Sequence, residues 1–156
     1  MPFQINDTRQ MIIFIGIQAS GKTTFYKSLL AGYGLTHISL DTLKTRHQEE
    51  LAIRTCLDRR KSFVIDNTNP QITDRQRYIR LAKPLGYEII GIFFQSKVKE
   101  CIERNEYREC RVPRIAIPST SNKLQLPSYE EGFDQLFFAR IVDNGFQITK
   151  WNDYGF

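Results

Sequence analysis

The strongest constraint on this chain is a glycine-containing loop that follows a short apolar run near its start. Residues 11–15 read MIIFI, which predicts a buried strand. Residues 16–23 read GIQASGKT and match the pattern GxxxxGK[ST], directly before an amphipathic stretch that predicts a helix. The two glycines permit backbone torsions that residues with a Cβ resist, so successive N–H groups converge on one anion. This strand–loop–helix unit predicts a phosphate-binding site.

The same loop predicts how a nucleoside triphosphate is held. The helix N-terminus contributes partial positive charge to the site. Lys22 is expected to reach the β- and γ-phosphates, and the Thr23 hydroxyl is expected to help hold Mg²⁺. The predicted nucleotide-binding residues of the loop and the helix start are Gly16, Gln18, Ala19, Ser20, Gly21, Lys22, Thr23 and Thr24.

Short apolar runs alternate with amphipathic stretches along the rest of the chain. The predicted strands are 36–40, 62–66 and 88–94, and the predicted helices are 22–31, 42–60, 73–83 and 98–109. Residues 137–151 contain the turn Asp143-Asn144-Gly145 and predict a hairpin. Pro113 and Pro118 bound a basic segment that we expect to be mobile. The alternation predicts an α/β fold, with a parallel sheet and helices on both faces.

Asp66 follows three apolar residues at the carboxyl end of the third predicted strand. A carboxylate in that position holds Mg²⁺ directly or through water in nucleotide-binding proteins with this kind of loop. Many apolar strands end in an aspartate that has no catalytic or binding role, so this position alone is weak evidence. Asp66 is a metal-ligand candidate because a phosphate-binding loop precedes it in the chain.

Asp41 is the candidate on the acceptor side of the site. It follows the second predicted strand, and the strand ends of an α/β sheet face the ligand crevice. A carboxylate there can accept a hydroxyl proton and orient the oxygen for in-line attack on a phosphate. Asp before Thr-Leu-Lys also suits a helix N-cap, and residue type alone does not separate the two roles.

Four arginines in the fourth predicted helix and beyond it are spaced by four, three and three residues. They share one helical face if the helix continues that far. On a mobile segment they can close over a triphosphate and neutralise charge in the transition state. The alternative is a solvated face that pairs with Glu103, Glu106 and Glu109. The four residues are Arg104, Arg108, Arg111 and Arg114.

Composition limits the classes of protein that remain. The chain has 156 residues, which suits a single domain over 1–156, and its net charge of +5 suits a polyanionic partner. Three cysteines without a CxxC spacing and only two histidines argue against a zinc site and favour reduced thiols. The start of the chain is too polar for a signal peptide, and no apolar run reaches membrane length. We expect a cytoplasmic protein with no membrane partner, and the sequence carries no signal for an oligomeric state.

Five segments taken together resemble the kinase domain of polynucleotide 5′-kinases. They are GIQASGKTTF, ISLDTLK, VIDNTNP, CIERNEYRECRVP and PSYEEGFDQL. The similarity spans residues 11–142. The loop itself is generic, whereas DNTNP after the third strand combined with P-x-x-x-E-G-F after the basic segment is much more specific. No DxDGT phosphatase signature or ligase lysine motif is evident, so a stand-alone kinase domain is expected.

The resemblance implies a P-loop NTPase fold of the nucleoside-monophosphate-kinase type, with an Arg-rich lid over about residues 104–126. It implies Mg²⁺-dependent transfer of the γ-phosphate of ATP to the 5′-hydroxyl end of DNA or RNA. Asp41 then matches the general base, and Lys44 matches a basic residue that holds the phosphate next to the acceptor. Arg104 and Arg108 match lid arginines that contact the nucleotide, and Arg108 becomes a catalytic candidate beside Lys22. Asp66 and Asn67 match the family's DN pair, with Asn67 on the substrate side.

Two other functions remain open from the sequence. One is a kinase for a nucleoside, sugar or antibiotic, or a zeta-toxin-like kinase. The other is a nucleotide-binding protein without catalysis. Arg75, Arg77 and Arg80 are available to track polynucleotide phosphates, or they form an ordinary exposed helix face. Trp151, Tyr154 and Phe156 either stack on bases or pack against the hairpin.

Overall fold

The apolar runs assemble into one six-stranded sheet in the computed structural model, which describes residues 1–152. The strands are β1 Gln10–Ile15, β2 Thr36–Ile38, β3 Phe63–Ile65, β4 Glu88–Phe94, β5 Gln135–Val142 and β6 Gly145–Lys150. Their order across the sheet is β2-β3-β1-β4-β5-β6. The first five strands are parallel, and β6 pairs antiparallel with β5 as the second arm of a hairpin. The predicted α/β class and the predicted hairpin are confirmed.

Helices connect the parallel strands. They are α1 Lys22–Phe25, α2 Leu40–Leu43, α3 Arg46–Asp58, α4 Ile72–Ala82, α5 Val98–Asn105 and α6 Ala116–Lys123. After α1 the chain continues as a π-helical turn, Tyr26–Leu30, and a 3₁₀ turn, Ala31–Tyr33. A second 3₁₀ turn, Lys83–Leu85, directly follows α4, and a third, Tyr129–Glu131, lies shortly before β5. No helix in the described range 1–152 is long and apolar enough to span a bilayer.

The side chains of β1 show why both faces of the sheet are covered. All six residues of β1 are buried, as expected for a central strand of a parallel sheet. Met11, Ile13 and Ile15 pack in the cluster that contains the apolar side chains of α3 and α4. Ile12 and Phe14 point to the opposite face, where their cluster includes Phe25 of α1. The sheet therefore lies between two helical layers.

The single helix predicted over 42–60 is two helices in the structure. Lys44 adopts a left-handed φ of 72°, which ends α2. The Thr45 hydroxyl then accepts a hydrogen bond from the Gln48 N–H at 3.2 Å and caps α3. Ser39 is the N-cap of α2, because its Oγ accepts from the Asp41 N–H at 3.2 Å. The N-cap alternative for Asp41 is therefore wrong.

The helix predicted over 98–109 ends at Asn105, so the four lid arginines do not share one helical face. The Asn105 side chain turns the chain back on itself. Its Nδ2 donates to the Val112 carbonyl at 2.9 Å, and its Oδ1 accepts from the Val112 N–H at 3.1 Å. The basic segment between Pro113 and Pro118, which we expected to be mobile, contains the start of α6. Pro118 is accommodated there because it lies in the first turn, where a missing N–H costs little.

Arg75 is fully buried in α4, which excludes both roles predicted for it. Its Nε and Nη2 donate to the two carboxylate oxygens of Glu131 at 2.7 and 3.0 Å. Its Nη1 donates to the Asn69 and Pro70 carbonyls at 3.0 and 3.2 Å. Arg75 thus holds the turn after β3 against the segment before β5, and it does not contact solvent or an exposed polyanion.

Trp151 packs at the end of the hairpin, as one of the two sequence interpretations expected. It is buried, and its ring lies edge-on to Phe93 with centroids 5.5 Å apart. Tyr154 and Phe156 lie outside the described residues.

We expect Arg75→Met to lower the free energy of unfolding by about 3 kcal/mol, because Glu131 would remain buried without its cation. Urea denaturation followed by circular dichroism measures this difference. Arg80→Met is the matched control, because Arg80 is exposed on the same helix, and its effect should stay within about 0.5 kcal/mol. Equal losses for the two variants would contradict a stabilising role for the ion pair.

Candidate active site

The carboxyl ends of the central strands open into a cleft of about 760 Å³. It is lined by the loop after β1, the start of α2, the segment after β3, the end of α5, the segment that follows α5 and the β5–β6 hairpin. The sequence-predicted residues that line it are Gln18, Ala19, Gly21, Lys22, Thr23, Thr24, Asp41, Asp66, Asn67, Arg104 and Arg108. Three further candidates, Gly16, Ser20 and Lys44, are not among its lining residues.

The loop after β1 is held in shape from within. The Gly16 N–H donates to the Thr68 carbonyl at 3.0 Å, and a Cβ at Gly16 would lie 2.8 Å from the Ser20 hydroxyl. Gly21 precedes α1 with a φ of 100°, a conformation that residues with a Cβ rarely adopt. Ala19 also has a positive φ, of 62°. Gly16 and Ser20 therefore shape the loop, whereas Ala19 and Gly21 face the cleft.

Lys22 is buried in the loop that it follows. Its ammonium donates to the Gly16 and Ile17 carbonyls at 3.0 and 2.8 Å. Burial lowers the pKa of Lys22 to about 8, although the nearby Asp66 carboxylate opposes this shift. A cation held in a poorly solvated position has a large electrostatic effect on any phosphate that replaces its present partners.

Thr23 and Asp66 lie together as a candidate metal site. The Thr23 Oγ1 donates to the Asp66 Oδ2 at 2.8 Å. Hydroxyl and carboxylate oxygens are the ligands that Mg²⁺ prefers, so these two residues fit the ion implied by the loop. Sequence reasoning missed a third member of this group, since the His37 Nε2 lies 2.8 Å from the same Asp66 oxygen. The His37 ring stacks on Tyr26 with centroids 4.2 Å apart, which fixes the imidazole beside Asp66.

The two arginines predicted to lie in a lid reach the cleft in different ways. The Arg104 Nε donates to the Ala19 carbonyl at 2.7 Å, which attaches α5 to the loop. The buried Arg108 Nη1 has no hydrogen-bond partner in the described part of the chain. Leaving a buried guanidinium nitrogen unpaired is costly, and an anion bound in the cleft would satisfy it. The residues around this position thus fit a phosphate group.

Asp41 lies opposite the loop, exposed in the first turn of α2. Its carboxylate makes no hydrogen bond to any of residues 1–152, so its oxygens are free to accept one. Lys44 follows α2 and is exposed, away from the cleft lining. Asn67 lies between Asp66 and the start of α2, where its Oδ1 accepts from the Leu40 N–H at 2.9 Å.

The apolar side of the cleft was not predicted from the sequence. It comes from the segment after α5 and from the β5–β6 hairpin. The residues on this side are Tyr107, Val112, Ile141, Val142 and Phe146. Ile141 and Phe146 lie close to Gly21, since a Cβ there would be 3.1 Å from an atom of each. No sequence signal indicated this contact, because the hairpin lies far along the chain from the loop.

A known protein family matches most of the segments that form the cleft. A family described as "AAA domain" matches residues 11–130, which is more than half of the chain. The chain belongs to this AAA domain family. The matched range begins at β1 and extends past α6, so it contains every segment of the cleft except the hairpin.

Two relatives of this AAA domain carry the names that the sequence motifs suggested. The bifunctional polynucleotide phosphatase/kinase of Schizosaccharomyces pombe is 32% identical over 136 residues, which cover 84% of this chain and 33% of that protein. The putative bifunctional polynucleotide phosphatase/kinase of Acanthamoeba polyphaga mimivirus is 33% identical over 136 residues, covering 82% of this chain and 32% of that one. The chain spans about a third of the length of these relatives. The resemblance to polynucleotide kinase domains is confirmed.

A solved structure extends the comparison to the fold. Kti12 of Chaetomium thermophilum, in complex with ADP-AlF3, superposes with a TM-score of 0.69 at 18% identity. The match covers 86% of this chain and 90% of that one. The AAA domain described here thus has the P-loop architecture expected from its sequence.

The lowered pKa of Lys22 predicts that nucleotide affinity depends on pH. Below pH 8 the amino group of the free protein is charged, and it loses its proton as the pH rises through about 8. A bound triphosphate favours the charged form, so binding above that pH takes up a proton. We expect the affinity for ATP to fall by up to about tenfold per pH unit between about pH 8 and the higher pKa of the complex.

Titration calorimetry in buffers of different ionisation enthalpy measures both the affinity and the proton uptake. Lys22→Met should bind ATP weakly and without this pH dependence. A wild-type affinity that stays constant to about pH 9.5 would contradict the assignment.

Proposed function

We propose that this domain transfers the γ-phosphate of ATP to the 5′-hydroxyl end of a polynucleotide. The observation that carries the proposal is that one cleft brings the free Asp41 carboxylate together with Lys22, Asp66 and Arg108. These are the groups that phosphoryl transfer requires: a proton acceptor, a phosphate-binding cation, a metal ligand and a cation for developing charge. The polynucleotide kinases among its relatives and the net charge of +5 support a nucleic acid as acceptor.

The cleft suggests a role for each residue. Thr23 and Asp66 would hold Mg²⁺, which when bound neutralises charge on the β- and γ-phosphates. Lys22 binds the same phosphates, and Arg108 stabilises the charge that spreads over the transferred group. Asp41 accepts the proton of the 5′-hydroxyl while the hydroxyl oxygen forms a bond to the γ-phosphorus. The bond between the γ-phosphorus and the β,γ-bridging oxygen breaks, and ADP leaves. The products are ADP and a 5′-phosphate.

A role for Lys44 and a place for the adenine base follow from position and charge. Lys44, directly after α2, would hold the phosphate next to the acceptor hydroxyl. Tyr107 in the segment after α5 and Val142 in the hairpin bound the part of the cleft beyond the loop, where we place the adenine base. Free Cys56, Cys101 and exposed Cys110 suit a reducing compartment, which supports a cytoplasmic location.

Transfer of γ-labelled phosphate from ATP to 5′-hydroxyl DNA and RNA oligonucleotides, with Mg²⁺, tests the proposal. We expect Asp41→Asn to lower kcat by about 100-fold or more with little change in ATP affinity, because it removes only the proton acceptor. Lys22→Ala should weaken ATP binding and abolish transfer. Asp58→Asn and Lys27→Ala are matched controls, because both residues are exposed and absent from the cleft lining, and both variants should keep wild-type rates.

The outcomes of this assay distinguish a polynucleotide kinase from a small-molecule kinase. Labelled oligonucleotide that is lost in Asp41→Asn supports the polynucleotide kinase. Bound ATP with no labelled oligonucleotide rejects it, and labelling of a nucleoside or sugar would then identify a small-molecule kinase.

Arg108 and Arg111 provide a second, paired test in the lid. The buried Arg108 Nη1 has no partner in the described range, whereas the Arg111 Nη1 lies 3.7 Å from Glu106 and outside the cleft lining. We expect Arg108→Ala to lower kcat by about 100-fold because a transition-state charge loses its cation. Arg111→Ala should change kcat by less than about twofold, since an exposed ion pair contributes little. Similar losses in single-turnover measurements would contradict a specific role for Arg108.

A further inference from the structure

A buried carboxylate lies beside the cleft and has no part in the proposed chemistry. Glu49, in the first turn of α3, is 2% exposed. Its Oε1 accepts from the Arg46 Nη1 at 2.9 Å and from the Tyr78 hydroxyl at 3.1 Å, and its Oε2 accepts from the Asn67 Nδ2 at 2.8 Å. A buried charge is tolerated only with such partners, so the position and orientation of Glu49 are tightly fixed.

Tyr78 adds a second constraint on the same carboxylate. Burial and the neighbouring Glu49 raise the pKa of Tyr78, so its hydroxyl keeps its proton and donates it to Glu49. The same hydroxyl oxygen accepts from the Arg46 Nη1 at 2.8 Å and from the Asn67 Nδ2 at 3.3 Å. Glu49 and Tyr78 therefore each contact the other three side chains, and the four residues form one connected network.

The Asn67 amide connects this network to the helix that carries Asp41. A carboxylate only accepts hydrogen bonds, so Glu49 requires the Nδ2 of Asn67 and directs its Oδ1 the other way. That Oδ1 accepts from the Leu40 N–H at 2.9 Å. Leu40 is the first residue of α2, and its N–H has no partner within the helix. Glu49 therefore acts on the residue directly before Asp41.

Asn67 also follows Asp66 directly in the chain. The same short segment after β3 thus carries the candidate metal ligand and the side chain that holds α2. A shift of Asn67 would change the distance between the metal side and the acceptor side of the cleft. The distance from Asp41 to a phosphate held by the loop would change with it.

We infer that Glu49 and Asn67 are positioning residues: through the Leu40 N–H they hold the first turn of α2, and with it Asp41, against the phosphate-binding loop. The inference rests on the proposed function in one respect, namely that Asp41 is the proton acceptor.

Reversal of the amide–carboxylate pair tests this inference. Asn67→Asp places two carboxylates against each other, so it should release the turn and lower kcat by about tenfold at unchanged ATP affinity. Combining Asn67→Asp with Glu49→Gln restores an amide donor and a carboxylate acceptor, so kcat should return to within about threefold of wild type. Glu50→Gln is the matched control, because Glu50 is an exposed neighbour on the same helix, and it should change nothing.

Amide hydrogen exchange, measured by NMR on the folded proteins, reports the same contact without any reaction. The Leu40 N–H should exchange about tenfold faster in Asn67→Asp, because repulsion from Glu49 moves the acceptor at position 67 away from it. The rate should return toward the wild-type value in the double variant, where the amide at position 49 holds that acceptor in place again. In an Asp41→Asn background, Asn67→Asp should cause no further loss of kcat, because its effect passes through Asp41.

The possible results separate this inference from the proposed function. Unchanged Leu40 exchange in Asn67→Asp, or a double variant no better than the single one, would overturn the positioning role. Full additivity with Asp41→Asn would overturn the route through Asp41. If the Leu40 N–H exchanges faster in Asn67→Asp but the wild-type protein labels no oligonucleotide, the positioning of α2 by Asn67 is supported. Only the polynucleotide acceptor of the proposed function is then rejected.

Discussion

The site depends on how the segment after β3 is bonded to the loop after β1. β1 and β3 are parallel neighbours, with Ile13 opposite Ile65. The segments that follow these two strands therefore leave the sheet at the same edge. There the Gly16 N–H donates to the Thr68 carbonyl, and the Asn69 Nδ2 donates to the Phe14 carbonyl at 2.8 Å. These bonds bring the end of β3 against the loop, which is why the Thr23 hydroxyl meets Asp66.

The buried Arg75–Glu131 pair extends this arrangement to the rest of the cleft. Arg75 holds the carbonyls of the turn after β3, and Glu131 lies just before β5, whose hairpin forms the apolar side. The segment predicted as a lid is attached at the same place, since the Gln125 N–H donates to the Pro70 carbonyl at 2.7 Å. The two motifs that made the family resemblance specific, DNTNP and P-x-x-x-E-G-F, are therefore in contact through Arg75.

The differences between the sequence predictions and the structure have a common cause. The amphipathic pattern over 42–60 and 98–109 favours helix, but it does not show where a helix ends. Lys44 and Asn105 end two helices because their surroundings supply other partners. Thr45 caps the next helix, and the Asn105 side chain bonds the backbone of Val112. Arg75 was interpreted as exposed because a charged residue rarely lies in a core, and its buried partner, Glu131, is distant in sequence.

The sequence by itself determined the α/β class, the phosphate-binding loop and the places where Asp41 and Asp66 follow strands. These features depend on local torsions and on the alternation of apolar residues, which neighbouring residues specify. Only the tertiary structure decided which side chains meet: His37 with Asp66, the hairpin with Gly21, and Glu49 with Asn67 and α2. Such contacts depend on the order of strands in the sheet and on the packing of helices across it. They arise between segments that share no local pattern, because the free energy of burying and pairing these groups is gained only when the whole core assembles.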